Sequence, residues 1–172
     1  RKKAVLRFSK TGNDILTGLA GSDFLDGGDG TDAAVYLNDA GSIIANLSAA
    51  PITVGGVTVQ PNTVRDSSGN TDTLISIESV LGTQQGDTLI GSARSESLSG
   101  AGGVDTINVH GHPSQSATFF PRVTVDGGAG ADTVGVNTDG AGSARASFLQ
   151  TQDLGALNLS SGGRLRLEPL GG

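Results

Sequence analysis

Acidic residues return at a period of nine. Asp14, Asp23 and Asp32 keep that spacing, as do Asp87, Glu96 and Asp105, and Asp132 follows three periods later. Two residues after each acid stand Leu16, Leu25, Ala34, Leu89, Leu98, Ile107 and Val134, six of them large aliphatics. Five before each acid stand Ser9, Gly18, Gly27, Gly82, Gly91, Gly100 and Gly127. Two before stand Gly12, Gly21, Gly30, Gln85, Arg94, Gly103 and Gly130. Three columns in step at one period are the mark of a repeat architecture. A Gly/Asp-rich linker has no reason to fix an aliphatic residue two places after every acid.

Nine residues divide naturally. About six make a turn in which glycine supplies positive φ and close backbone approach. About three make a short strand whose central side chain, the aliphatic, points inward. Two such units complete a coil of about eighteen residues, and stacked coils give parallel sheets around an aliphatic ladder. The turns stack as well, so Asp14 is expected over Asp32 and Asp87 over Asp105. Carboxylates stacked at a strand spacing of about 4.8 Å repel one another unless a cation lies between them. Carboxylate and glycine carbonyl oxygens are hard donors, which suits Ca2+ better than Mg2+ and poorly suits zinc.

Composition agrees with a thin aliphatic core. The 172 residues include 28 Gly, five Phe, one Tyr and no Cys, Met or Trp. Absence of cysteine excludes a disulfide framework and thiolate metal sites. Five of the eleven bases lie in the first ten residues, so beyond Lys10 seventeen acids face six bases and no lysine. Nucleic acid is therefore not an expected partner. No apolar run reaches a membrane-spanning length, and no signal peptide is visible. A start at Arg1 is expected of a fragment or a processed product.

"GNDILTG", "GSDFLDGGDGTD", "GGVDTINV" and "GGAGADTV" resemble the nonapeptide GGxGxDxUx of RTX-type (hemolysin-type) calcium-binding repeats. The resemblance implies an all-β fold: a right-handed parallel β-roll or β-helix solenoid with Gly/Asp-rich calcium-binding turns. It also implies secretion from a bacterial cell. The candidate calcium ligands are Asp14, Asp23, Asp32, Asp87, Asp105 and Asp132, with Gly12, Gly21, Gly28, Gly30, Gly103, Gly128 and Gly130. Some turns depart from the pattern. "GTQQGD" at 82–87 lacks the second- and fourth-position glycines, and "GSARSE" at 91–96 sets Arg94 beside the site and Glu96 for Asp, so the latter is expected to be structural. Asp23 has no acid eighteen residues to either side, and Asp132 looks toward Ser114 and Gln150. Complete pairs are few, so roughly two to four ions are expected.

One continuous solenoid over 1–172 is expected: nonapeptide blocks at 9–35 and 82–110, longer β-helix rungs at 36–81, an excursion at 111–125, a third repeat at 126–136, and further coils at 137–172. Within 36–81, Asp66 and Asp72 flank "SSGNT" and read as surface turn residues or, less readily, as a further cation loop. Phe119 and Phe120 read as a cap on the ladder or, less readily, as a contact surface. His110 and His112 read as surface histidines, a transition-metal site being the less favoured alternative. "KKAVLRFSK" is a first strand or edge-protecting cap, or a charged tag remnant. The end at Gly172 shows no polar cap, which suits a longer native chain or copies stacked end to end.

The favoured function is a calcium-dependent structural or adhesive segment of a secreted or cell-surface bacterial protein, in contact with the cell surface or polysaccharide and folding on Ca2+ binding outside the cell. The alternative is the calcium-binding accessory module of a secreted hydrolase, lyase or epimerase whose catalytic part lies elsewhere. No HExxH or GxSxG motif is present. Asp39, Asp139 and Asp153 are the only loose candidates for glycan chemistry. An ice-binding face would need a repeated threonine or asparagine file, and none follows "TGND".

Overall fold

A computed structural model describes residues 5–7, 11–92, 96–110, 122–137, 145–148 and 154–160. Every regular element among them is a strand. In chain order they are β1 (Val5–Arg7), β2 (Ile15–Leu16), β3 (Phe24–Asp26), β4 (Ala33–Val35), β5 (Ile43–Asn46), β6 (Ile52–Val54), β7 (Val57–Val59), β8 (Thr63–Asp66) and β9 (Thr71–Ile75). Then follow β10 (Ser79–Leu81), β11 (Thr88–Ile90), β12 (Glu96–Ser99), β13 (Thr106–His110), β14 (Arg122–Asp126), β15 (Asp132–Asn137), β16 (Arg145–Phe148) and β17 (Leu154–Ser160). Among the described residues no helix is long and apolar enough to cross a membrane.

The nonapeptide blocks form parallel pairs in the expected step. Leu16 pairs with Ala34, Val80 with Leu98, and Leu89 with Ile107, each eighteen residues apart. Across the stretch 111–121 the step lengthens by one more repeat: Leu98 pairs with Val125 and Ile107 with Val134. The aliphatics two places after each acid are all buried, and Leu16, Leu25, Ala34, Leu89, Leu98, Ile107 and Val134 lie in a single cluster. Burying one such side chain is worth about 1.5–3 kcal/mol, so the ladder is the main source of hydrophobic stability.

Pairing is not parallel throughout. The larger sheet runs β1-β3-β9-β8-β5-β11-β13-β15-β17, and the other β16-β14-β12-β10-β4-β2. Within the larger sheet β5 pairs antiparallel with β8, and β8 antiparallel with β9. β6 and β7 form a separate antiparallel hairpin. The larger sheet is thus mixed while the six-stranded one is parallel throughout, and the described strands do not close into a continuous solenoid. The expectation of longer parallel rungs over 36–81 is corrected accordingly. The cause is turn chemistry. Gly55 and Gly56 both have positive φ, the backbone of a two-residue hairpin turn that reverses the chain at once. Between β8 and β9, Asp66 accepts hydrogen bonds from the Asn70 N–H (2.7 Å) and side-chain amide (2.8 Å), closing another tight reversal. A parallel return needs a longer crossover, which two nonapeptide units together supply and these turns do not.

The alternating N-terminal segment contributes β1, which pairs parallel with β3. Phe119, Phe120, His112, Asp139 and Asp153 lie outside the described residues, as does the side chain of His110.

Candidate metal centre

Each acid ends a turn and starts a strand, so its backbone N–H faces the neighbouring rung. In five of them that N–H goes to a carboxylate rather than a carbonyl. Asp14 N–H donates to Asp32 Oδ1 (2.7 Å), Asp87 N–H to Asp105 Oδ1 (2.7 Å), and Asp105 N–H to Asp132 Oδ1 (2.9 Å). The carboxylates therefore form files running from rung to rung. Asp23, Asp32, Asp87, Asp105 and Asp132 are all buried.

The glycine columns make room for these files. A Cβ on Gly100 would overlap Asp105 Oδ2 and stand 2.8 Å from the Gly127 carbonyl oxygen. The glycine two places before the acid serves a different need: Gly130 has φ +142°, and a Cβ there would overlap the carbonyl of Gly103. In both places the missing side chain admits oxygen atoms. The second carboxylate oxygens of Asp32 and Asp105 are buried there, and that of Asp14 is buried as well, all with no hydrogen-bond partner. An orphaned buried acceptor costs about 1–3 kcal/mol, and more when charged.

Two members of the files are not among the candidate ligands, although Asp72 is part of the less favoured further cation loop. Asp72 is buried, not a surface turn residue, and its Oδ1 accepts the Asp23 N–H (2.8 Å) while its Oδ2 accepts the Tyr36 hydroxyl (3.1 Å). Asp23 thus finds its missing partner 49 residues away. Glu78 accepts the Asp32 N–H at Oε2 (3.0 Å). The available signal was the aliphatic two places on: Leu74 follows Asp72, Val80 follows Glu78, and both are buried. Glu78 also stands nine residues before Asp87.

The electrostatics are those of uncompensated negative charge. Burial pushes the Asp105 carboxyl up to about 6; the Asp87 N–H works against this, and the charges of Asp87 and Asp132 add to it. Burial also raises Asp87 and Asp72, opposed by hydrogen bonds from Ile43 and Thr83 to the first and from Asp23 and Tyr36 to the second. Arg65 is the single Lys or Arg among residues whose side chains are described.

Asp87 differs from the other candidate ligands. Its Oδ1 accepts Ile43 N–H (2.8 Å) and Thr83 Oγ1–H (3.1 Å), and its Oδ2 accepts Thr83 N–H (2.6 Å). In the next turn Glu96 is held in the same way, by Ser92 N–H (2.8 Å) and the Ser92 hydroxyl. These acids already have protein donors.

Among the described residues no three His, Cys, Asp or Glu side chains gather at one point. A bound ion would therefore draw on carbonyl oxygens as much as on carboxylates. That mixture fits Ca2+, which takes about six to eight oxygens in adaptable geometry. The RTX calcium-binding nonapeptide repeat matches four copies in the chain, over residues 9–34, 81–111 and 123–135. Over those stretches the chain is similar to RTX calcium-binding repeats. The RTX matches take in Asp14, Asp23, Asp32, Asp87, Glu96, Asp105 and Asp132, whereas Asp72 and Glu78 fall between them. No curated protein matches the chain.

Proposed function

We propose that this chain is a calcium-stabilised scaffold, a structural or adhesive segment of a secreted or cell-surface bacterial protein, and that it acts without chemistry of its own. Its RTX turns hold Ca2+ between acid-bearing rungs, with Asp14, Asp32, Asp105 and Asp132 as carboxylate donors and turn carbonyls beside Gly12, Gly30, Gly103 and Gly130 completing the set. Asp23 joins through Asp72. In the calcium-loaded state the nonapeptide blocks take the form of a right-handed parallel β-roll.

The observation that carries this reading is the set of buried second oxygens on Asp14, Asp32 and Asp105, each without a hydrogen-bond donor. A cation satisfies them and cancels the repulsion along the files. At 100 times its dissociation constant each ion adds about 2.7 kcal/mol. A thin core with several such sites folds only in part at low calcium and fully at high calcium, as a protein that must leave a cell and work outside requires.

Far-UV circular dichroism during a Ca2+ titration of chelator-treated protein tests it, with Mg2+ as control. A cooperative gain of β signal with Ca2+ alone is expected. A β spectrum indifferent to both ions would overturn the reading.

A further inference from the structure

The segment 36–81 leaves the first RTX block after β4 and comes back to it at β9, which pairs with β3, and at β10, which pairs with β4. The return is closely stitched. Gly27 N–H donates to the Ile75 carbonyl (3.0 Å), and Glu78 N–H (3.0 Å) and Ser79 N–H (2.9 Å) both donate to the Asp32 carbonyl. Asp32 N–H in turn donates to Glu78 Oε2.

Oxygen atoms crowd at this seam. A Cβ on Gly27 would stand 2.5 Å from Asp32 Oδ2 and overlap the carbonyl oxygen of Ser76, so both oxygens border one small space. Asp32 is fully buried and its Oδ2 has no hydrogen-bond partner. The arrangement repeats one made inside the RTX blocks, where Asp105 Oδ2 and the Gly127 carbonyl flank Gly100. At the seam Ser76 supplies the carbonyl that a first-column glycine supplies elsewhere, and Glu78 supplies the next carboxylate of the file. Ser76 reaches that place with φ +50°, a left-handed backbone that a non-glycine residue adopts only at some cost. Neither Ser76 nor Glu78 lies within the matched repeats.

We infer that this seam is a cation site of its own, in which Asp32 Oδ2, the Ser76 carbonyl and the Glu78 carboxylate hold one Ca2+, with water completing its shell. The inference rests on the calcium reading above. Its consequence is that calcium fastens the antiparallel insertion onto the first block, although the insertion carries no repeat.

Calcium titration calorimetry and hydrogen exchange on the 172-residue chain test it. In the unmodified chain Ca2+ slows exchange of amides 75–79 by at least about tenfold, alongside those of 102–106. Glu78→Gln keeps an oxygen for the Asp32 N–H and removes the charge. It is expected to bind one ion fewer and to lose the slowing at 75–79 while keeping it at 102–106. Gly27→Ala, which wedges Asp32 Oδ2 from the Ser76 carbonyl, is expected to show the same loss. Slowing at 102–106 but not at 75–79 in the unmodified chain, or an unchanged ion count in Glu78→Gln, overturns the seam site and leaves the proposed function standing. No slowing at either place overturns both.

Discussion

Two kinds of turn are built on one nine-residue template. At Asp32 and Asp105 the residue four places before the acid, Gly28 or Ala101, takes a left-handed backbone, and the second carboxylate oxygen is buried without a donor. At Asp87 and Glu96 that position is Thr83 or Ser92. Neither adopts the left-handed conformation, and each gives the acid both its N–H and its hydroxyl. The difference is one of who neutralises the carboxylate. Bare acids depend on a cation, whereas hydroxyl-capped acids are satisfied within their own turn. The capped turns sit side by side in the chain, over 82–96, between a bare block before them and another after.

Removing calcium should separate the two kinds most widely. With chelator, amides near Asp14, Asp32 and Asp105 are expected to lose about a hundredfold or more in hydrogen-exchange protection, the equivalent of about 2.7 kcal/mol per site. Amides of 82–90 should lose far less. Equal losses in both would erase the distinction. Next in size is the glycine two places before the acid. Gly103→Ala places a Cβ against the backbone of Gln85 and Gly86 at φ +111°, and a loss of about 2–3 kcal/mol is expected in urea unfolding. Gln85→Ala, the same column in a capped turn, should fall within about 0.5 kcal/mol because Gln85 is exposed.

Thr83→Val tests the cap itself. It withdraws the hydroxyl from Asp87 Oδ1, and chelator-treated protein should lose about 1–3 kcal/mol. If added Ca2+ restores most of that loss, the capped turn has become a bare one. An unchanged stability would show that the hydroxyl is dispensable. The smallest expected effect is on pH. Asp105 titrates near 6 when folded, against 3.8 for an ordinary aspartate. Between those values the calcium-free folded chain binds more protons than the unfolded one, so its stability falls as pH rises from about 4 to about 6. Thermal melts in chelator should therefore give a higher midpoint at pH 5 than at pH 7. Calcium, which favours the ionised carboxylate, should reverse the order.

The sequence made the repeat legible because the repeat is local. An acid and an aliphatic two residues later lie on one turn and one strand, and every aliphatic so placed among the described residues is buried. What it concealed depends on distant pairing. Asp72 and Glu78 meet Asp23 and Asp32 across 49 and 46 residues, and no fixed period links them. "ITVGGVTV" showed two short strands about a Gly-Gly pair, but reading them as parallel rungs passed over the reversal such a turn imposes. Thr83 looked like a lost glycine. Its hydroxyl restores what the glycine's absence takes away, and that trade is visible only with the carboxylate beside it.

The hydrogen bonds along the acid files all run one way. In every pair of acids, the amide of the earlier acid is received by a carboxylate later in the chain. The assembly therefore has a polarity that its parallel strands alone do not require, and its two ends are not equivalent. Shortening from the front takes away donors and leaves carboxylates that water or an ion can serve. Shortening from the back takes away acceptors: a chain stopped before Asp132 strands the amide of Asp105, and one stopped before Asp105 strands that of Asp87. Each layer is finished by the one made after it, so growth of the file is a sequence of completions in which the last layer always awaits a successor.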